Sequence, residues 1–248
     1  MSTDPLAWLA QLEGVASAYA ATRDGIDVML RDRGLRQTDP ATTAEALAVG
    51  AHASAVLEGS TSTLADLDAG VGDEIAQDSL RLSTEVLALT PQLKRSPAQV
   101  FARLHAVAAA TALPPEQLGR PRDAESAQRL QSLGQLVLAS TEVPALLLAA
   151  VVHAEIATAA PFSSHNGIVA RAAERLVLVA RGVDPKSLMV PEAGHLALRA
   201  QYESNLSGYA SGQQRGLHAW ALYAAEAYAK GMELSPLRPV KKPRRDRD

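Results

Sequence analysis

The stretch that most constrains this chain runs from Ala145 to Gly182, ALLLAAVVHAEIATAAPFSSHNGIVARAAERLVLVARG. From Ala145 to Ala159 only His153, Glu155 and Thr158 interrupt an apolar run. A helix that is apolar nearly all round must be covered on every side. This one is too short and carries too many polar groups to span a membrane. Pro144 suits its first turn, where a missing N–H costs nothing. Pro161 stops it, because the residue before a proline is pushed out of the helical region. After a short polar loop, Asn166 suits an N-cap, and Ile168 to Ala180 repeats apolar residues at helical spacing. Gly182 then closes this second helix as a left-handed cap. The rest of the chain has to be organised around this buried helix–loop–helix.

A loop that feeds the N-terminus of a buried helix is a natural anion site, since free N–H groups and the helix dipole both favour negative charge. Asn166-Gly167 offers consecutive amides as a small nest. Arg171 and Arg175 add cations one turn apart on one face of the same helix.

Strand alternation is nearly absent elsewhere, so the fold class is all-α. Aromatics make up only 4% of the residues, so the core is expected to consist of closely approaching helices carrying Ala, Leu and Val. The net charge of −3 argues against general affinity for nucleic acid. With no cysteine, disulfides and thiolate metal sites are excluded. The N-terminus lacks a basic region followed by an apolar run, which gives the expectation of no signal peptide, no membrane association and a cytoplasmic location. Asp4-Pro5, Asp39-Pro40, Ser96-Pro97 and Asp184-Pro185 read as helix starts, and Ser96 with Gln99 as a capping box. Loops are expected at Gly34–Thr38, Pro114–Arg122 and Gly182–Gly194. Residues 1–38 form an N-terminal helical extension, broken near Gly25, that packs on the core or forms a homodimer contact. Residues 39–232 form the main domain, with a first helix from Pro40 to Glu58. A last helix, Gln213 to Lys230, carries Leu217, Trp220, Ala221 and Ala224 on one packing stripe. Residues 233–248, with Lys241, Lys242, Arg244 and Arg245, read as a disordered charged tail.

The segment His153 to Arg171 resembles the central signature of the Fic (Fido) family, His-Pro-Phe-x-Asp/Glu-Gly-Asn-Gly-Arg-x-x-Arg. The chain keeps Pro161, Phe162, Asn166, Gly167 and Arg171. The resemblance implies a Fido-like helical domain that transfers AMP, or another phosphate-linked group, from a nucleotide to a protein hydroxyl. Four positions depart from the pattern. Ala160 stands at the catalytic histidine, Ser164 at the carboxylate that holds magnesium, His165 at the first glycine of the nest and Ile168 at the first arginine. Alanine cannot take a proton from an attacking hydroxyl, a function that contributes roughly 10²–10⁴-fold. Serine is a poor magnesium ligand beside a carboxylate, and isoleucine makes no charge-assisted bond to phosphate.

A second pattern, Ser54-x-x-x-Glu58-Gly59, is similar to the family's inhibitory motif, whose glutamate pairs with the last arginine of the signature. That arginine is Arg171 here. Glu58 at a helix C-terminus and Arg171 near a helix N-terminus each sit at the wrong end of a dipole, so pairing compensates both.

These residues imply a degenerate Fic-like protein. Its nucleotide or phosphate ligands would be His165, Asn166, Gly167 and Arg171, and its regulatory residues Ser54, Glu58 and Gly59. It would have no catalytic residue at Ala160 and no metal ligand at Ser164. ATP is the implied nucleotide, and a protein partner over the former active-site mouth is the other ligand considered. The alternatives are a transferase with an altered site, in which His165 serves as replacement base, and a purely structural domain. His153 reads as a core histidine, and His105, His195 and His218 as structural. His52, His153 and His165 match no common ligand spacing, and spacing supports no Ser-His-Asp arrangement. Gly119-Arg120-Pro121-Arg122 falls where the family docks its substrate and reads as a surface turn.

Overall fold

The computed structural model describes residues 4–32 and 40–237, and no strand occurs among them. The all-α class expected from the sequence is the class observed. The helices are α1 Ala7–Ala10, α2 Val15–Asp32, α3 Pro40–Leu57, α4 Leu64–Asp68, α5 Glu74–Val86, α6 Thr90–Leu93, α7 Pro97–Ala108, α8 Ala124–Leu138, α9 Ala145–Ala159, α10 Asn166–Ala180, α11 Pro191–Ala197, α12 Arg199–Ala210 and α13 Gln214–Glu233.

Helix α9 is the hub. It lies against α10 and is enclosed by α8, α12, α13 and α2. Every residue from Leu146 to Ala154 is buried, as an apolar surface without polarity on any side demands. Helix α10 is buried from Ile168 to Leu178 and also touches α3, α5, α6 and α7. Small residues let backbones meet. A Cβ on Gly194 would collide with the Ala227 carbonyl across the α11–α13 crossing, and one on Gly216 with the Gly208 carbonyl. That is how a core so poor in aromatics reaches interior packing density.

Several local expectations are corrected. The N-terminal extension breaks at Gly14, which adopts φ 77°. Gly25 lies inside α2, where a Cβ would meet nothing. A positive φ, rather than a glycine as such, ends the first helix. Val15, Tyr19, Ile26 and Leu30 form a buried stripe, and Thr22 Oγ1 donates to the Ala225 carbonyl of α13, so this face of the extension is used against the core. Asp184-Pro185 starts no helix: the Asp184 carboxylate accepts the Met189 N–H at 2.7 Å and closes a turn, and α11 opens later, at Pro191. Pro144 is the N-cap of α9 rather than part of its first turn. Ser96 caps α7 without a side-chain hydrogen bond, so the capping box is not formed. The segment after α13 stays docked through Leu237, which is 5% exposed. Ser235 Oγ donates to the Leu188 carbonyl there, so a charged tail cannot begin at residue 233. The expectations for Gly34–Thr38, Asp39 and the tail cations Lys241, Lys242, Arg244 and Arg245 lie outside the described residues. Among the described residues, no helix is long and apolar enough to cross a membrane.

Candidate functional site

The α9–α10 loop is built by three devices. Ala160 ends α9 in a left-handed conformation (φ 43°, ψ 60°) with its N–H on the Ile156 carbonyl. Phe162 turns into the core and stacks on His105, centroids 4.3 Å apart. Asn166 clamps the loop: its Oδ1 accepts the Phe162 N–H and its Nδ2 donates to the Phe162 carbonyl, both at 2.9 Å. Asn166 is therefore the first helical residue and not the N-cap. The cap position belongs to His165, also left-handed at φ 57°. The asparagine amide is used on the loop behind it, so it cannot also cap the helix in front. The first-turn amides of α10 have no carbonyl four residues back, which is the condition for an anion site.

An anion already lies there. Arg171 is buried, 1% exposed, and its Nη2 donates to Glu58 Oε1 at 2.7 Å. The pairing of these two residues expected from the sequence is present. Ser54, one turn before Glu58, takes the Arg171 Nε on its hydroxyl at 2.8 Å and Nη2 on its carbonyl at 3.1 Å. Gly59, at φ 96°, turns the chain just beyond the end of α3 at Leu57. A Cβ on Gly167 would collide with the Glu58 carboxylate, so this glycine is what lets an anionic oxygen rest against the first turn of α10. Arg175 does not join the site. It donates to both oxygens of Glu192, to Ser187 Oγ and to the Met189 carbonyl, because α11 brings a buried carboxylate to it.

His165 has partners that the sequence did not suggest. Its Nε2 lies 2.9 Å from Asp78 Oδ2 and its Nδ1 lies 2.7 Å from Ser164 Oγ. Asp78 sits on the buried face of α5, and α5 packs on α10. Thr111 Oγ1 donates to Asp78 Oδ1 at 2.9 Å and Arg81 Nη1 reaches the same oxygen at 2.8 Å. A serine, a histidine and an aspartate thus converge, contrary to the expectation from spacing. Asp78 lies among the buried residues Ala76, Ser79, Leu82 and Val86 of α5.

The Gly119–Arg122 turn is bound to this loop. The Arg122 N–H donates to the Pro161 carbonyl, its Nη2 to the Ala159 carbonyl, and the Gly119 N–H to His105 Nδ1. Burial, with a lesser contribution from His165, pushes the His105 pKa down to about 4.

His52, His153 and His165 do not converge. His52 Nε2 donates to the Ser62 carbonyl, and His153 belongs to an interior network. Glu174, fully buried, accepts from His153 Nδ1 at 3.0 Å, His195 Nε2 at 3.1 Å and the Tyr228 hydroxyl at 2.8 Å. Tyr202 and Tyr223 hydroxyls occupy the other ring nitrogens. His195 therefore has a partner network that its sequence neighbourhood does not reveal. Burial opposes charge on Glu174, and His153 and His195 outweigh it, holding the carboxyl well below the usual range. Burial pulls the His153 pKa below its ordinary value, against the opposing pull of Glu174. The Tyr202 hydroxyl also accepts Arg171 Nη1 at 3.0 Å, which joins the interior network to the loop.

No family model matches the chain and no curated protein matches it in sequence. Solved structures do match. A Fic family protein from Desulfovibrio desulfuricans G20 superposes with a TM-score of 0.74 at 14% identity, over 90% of this chain and 74% of that one. A fragment of Fic-1 from C. elegans gives 0.65 at 16% identity, over 88% and 72%. A single-residue variant of that fragment gives 0.68 at 15%, over 88% and 71%. With 90% of its length matched at that level, this chain has the all-helical fold of Fic family proteins.

Proposed function

We propose that this chain is a degenerate Fic-like protein that has lost standard AMP transfer to protein hydroxyls and acts by binding a nucleotide, ATP in the first instance, in competition with Glu58. The observation that carries the reading is the Glu58 carboxylate resting on Arg171 and over Gly167. It marks a place where an anion is stabilised by a helix N-terminus and a guanidinium together, and where a glycine makes the room. A phosphate needs the same two partners. His165, Asn166, Gly167 and Arg171 would face it, with Ser54, Glu58 and Gly59 as the regulatory segment.

Magnesium does not fit the residues present. Its expected ligand position is Ser164, whose neutral hydroxyl is bonded to His165, and Asp78 is committed to His165, Thr111 and Arg81. Ile168, 4% exposed, is packed in the core and offers phosphate nothing. Binding without transfer follows from these residues.

A second reading has its own support. Arg171 keeps bonds to Ser54 and Tyr202 in addition to Glu58, and such a set also serves as a structural clamp between α3, α10 and α12. Calorimetry with ATP on the intact protein and on Glu58→Gly decides between them. Binding that appears or tightens at least tenfold in Glu58→Gly supports competition. No heat in either protein leaves the clamp and moves the search for a ligand to protein partners over the loop.

A further inference from the structure

We infer that Ser164, His165 and Asp78 form a nucleophile–base–orienting triad directed at an acyl ester, a chemistry separate from the nucleotide reading above. The hydrogen-bond partners select one tautomer of the neutral imidazole. The Asp78 carboxylate has no proton to give, so His165 Nε2 carries the proton and donates it at 2.9 Å. That leaves a lone pair on Nδ1, and the Ser164 hydroxyl donates to it at 2.7 Å. A hydroxyl hydrogen-bonded to a neutral imidazole, itself fixed in one tautomer by a buried carboxylate, is the arrangement that makes serine a nucleophile. The two ring nitrogens exchange their usual roles here, which changes nothing in the proton path.

The orienting group is held rigidly. Asp78 is 2% exposed, and its second oxygen is bonded to Thr111 and Arg81. The base is reachable: the His165 side chain is 12% exposed, Ser164 is half-buried, and Ser163 beside it is exposed. The first-turn amides of α10 begin two residues after the nucleophile; they receive negative charge developing on a carbonyl oxygen once the Glu58 carboxylate, which rests against Gly167, swings into water. His165 holds its left-handed conformation at φ 57° within this hydrogen-bonded set, and such strain persists only where the surroundings fix it.

The charges favour an acyl substrate over a phosphoryl one. Phosphoryl transfer depends on metal ions and cations to neutralise the transferred group, whereas Ser164 supplies no metal ligand and Arg171 is paired with Glu58. A tetrahedral oxyanion needs only one or two N–H donors. In the first step, Ser164 Oγ bonds to the acyl carbon and its proton moves to His165 Nδ1. The ester C–O bond then breaks, and the leaving alkoxide takes that proton away as alcohol. In the second step, water bonds to the acyl carbon and passes a proton to Nδ1. The acyl–Oγ bond breaks, and Ser164 recovers the proton. Ester and water give carboxylic acid and alcohol.

The full chain is treated with a fluorophosphonate probe, which forms a covalent bond to an activated serine with loss of fluoride, and the modified residue is located by mass spectrometry. Hydrolysis of p-nitrophenyl acetate is followed in parallel. Labelling is expected at Ser164 and not at Ser163. It should fall about 100-fold or more in His165→Asn, where asparagine tolerates the left-handed backbone, and in Asp78→Asn, with circular dichroism confirming that both remain folded. Ser163→Ala should label as the parent does. If Asp78→Asn fails to fold, His165→Asn alone carries the test. Labelling no faster than in heat-denatured protein, or labelling equal in the parent and folded His165→Asn, overturns the triad.

Discussion

Helix α10 carries two polar clusters of different character. On its inner side, Glu174 is bonded to two histidines and a tyrosine, with Glu174, His153 and His195 all at 0% exposure. On its loop side, Glu58 is a third exposed while its partner Arg171 is buried, and His165 is partly open. In the inner cluster every donor points at the one carboxylate or is itself capped by a tyrosine hydroxyl, so no group can leave without stranding another. Its ligand atoms lie within 4.8 Å of one another, yet hydrogen bonds satisfy all of them. In the outer cluster, Glu58 can swing into water while Arg171 keeps Ser54 and Tyr202. A fully satisfied buried network rigidifies a core, and a half-exposed one leaves a site able to exchange partners. The comparison separates a rigid side of α10 from an exchangeable one.

The sharpest way to break this comparison is Glu174→Ala. It leaves three buried donors facing a void, and removal of one member of a buried charged set costs about 3–5 kcal/mol. Chemical denaturation at neutral pH should show a loss of that size. A loss below about 1 kcal/mol would put the interior cluster on the same footing as an exposed pair.

Glu58→Ala should cost less, about 1–3 kcal/mol, because Arg171 loses one of its acceptors and keeps the others. The same denaturation experiment measures it. A loss equal to that of Glu174→Ala would mean that the outer cluster is as structural as the inner one, and would favour the clamp reading over an exchangeable site.

The pH dependence sharpens the boundary between the two clusters. His105 lies under the loop, stacked on Phe162, with its pKa pushed from 6.5 down to about 4. For a histidine with a depressed folded pKa, the unfolded chain binds the proton first as pH falls. Stability is therefore complete above about 6.5 and declines as pH drops toward about 4. The decline should be on the order of 1 kcal/mol per pH unit crossed. His153, also depressed, acts in the same direction. Thermal melts across this window should fall with acidity, and His105→Gln, which keeps an acceptor for Gly119 and does not titrate, should flatten the fall. An equally steep decline in that variant would remove His105 as a contributor.

What the sequence disclosed follows the range of the forces involved. The α9–α10 core was legible because an apolar run, a proline stop and a terminal glycine act within a few residues of one another. The Glu58–Arg171 pair was legible only through resemblance of its two motifs, since the residues are 113 positions apart. Asp78 was not legible, because a carboxylate on an amphipathic helix reads as a solvated charge until α5 is seen against α10. His195 and Glu174 were missed for the same reason: their partners arrive from other helices, His153 from α9, Tyr223 and Tyr228 from α13, and each from the other across α10 and α11. The misplaced break at Gly25 reflects a different limit. Two glycines eleven positions apart look alike in sequence, and only the docking of α1 beside α13 requires the positive φ at Gly14.

The smallest effect is expected from Ala160→His, which restores the one residue whose loss most plainly separates this chain from the signature it resembles. The position is half-buried and already left-handed at φ 43°, a conformation histidine accepts more readily than most side chains. Stability should change by less than about 0.5 kcal/mol. Transfer of labelled AMP from ATP to protein should remain at the level of denatured protein, because a base alone supplies neither the metal ligand at Ser164 nor the cation at Ile168. Nor is Ile168 a vacancy waiting for arginine: at 4% exposed it is part of the core, and a guanidinium there would be buried without a partner, at a cost of several kcal/mol. Two independent physical grounds thus oppose transfer, and its appearance in Ala160→His would show that the outer cluster of α10 retains a working phosphate site behind Glu58.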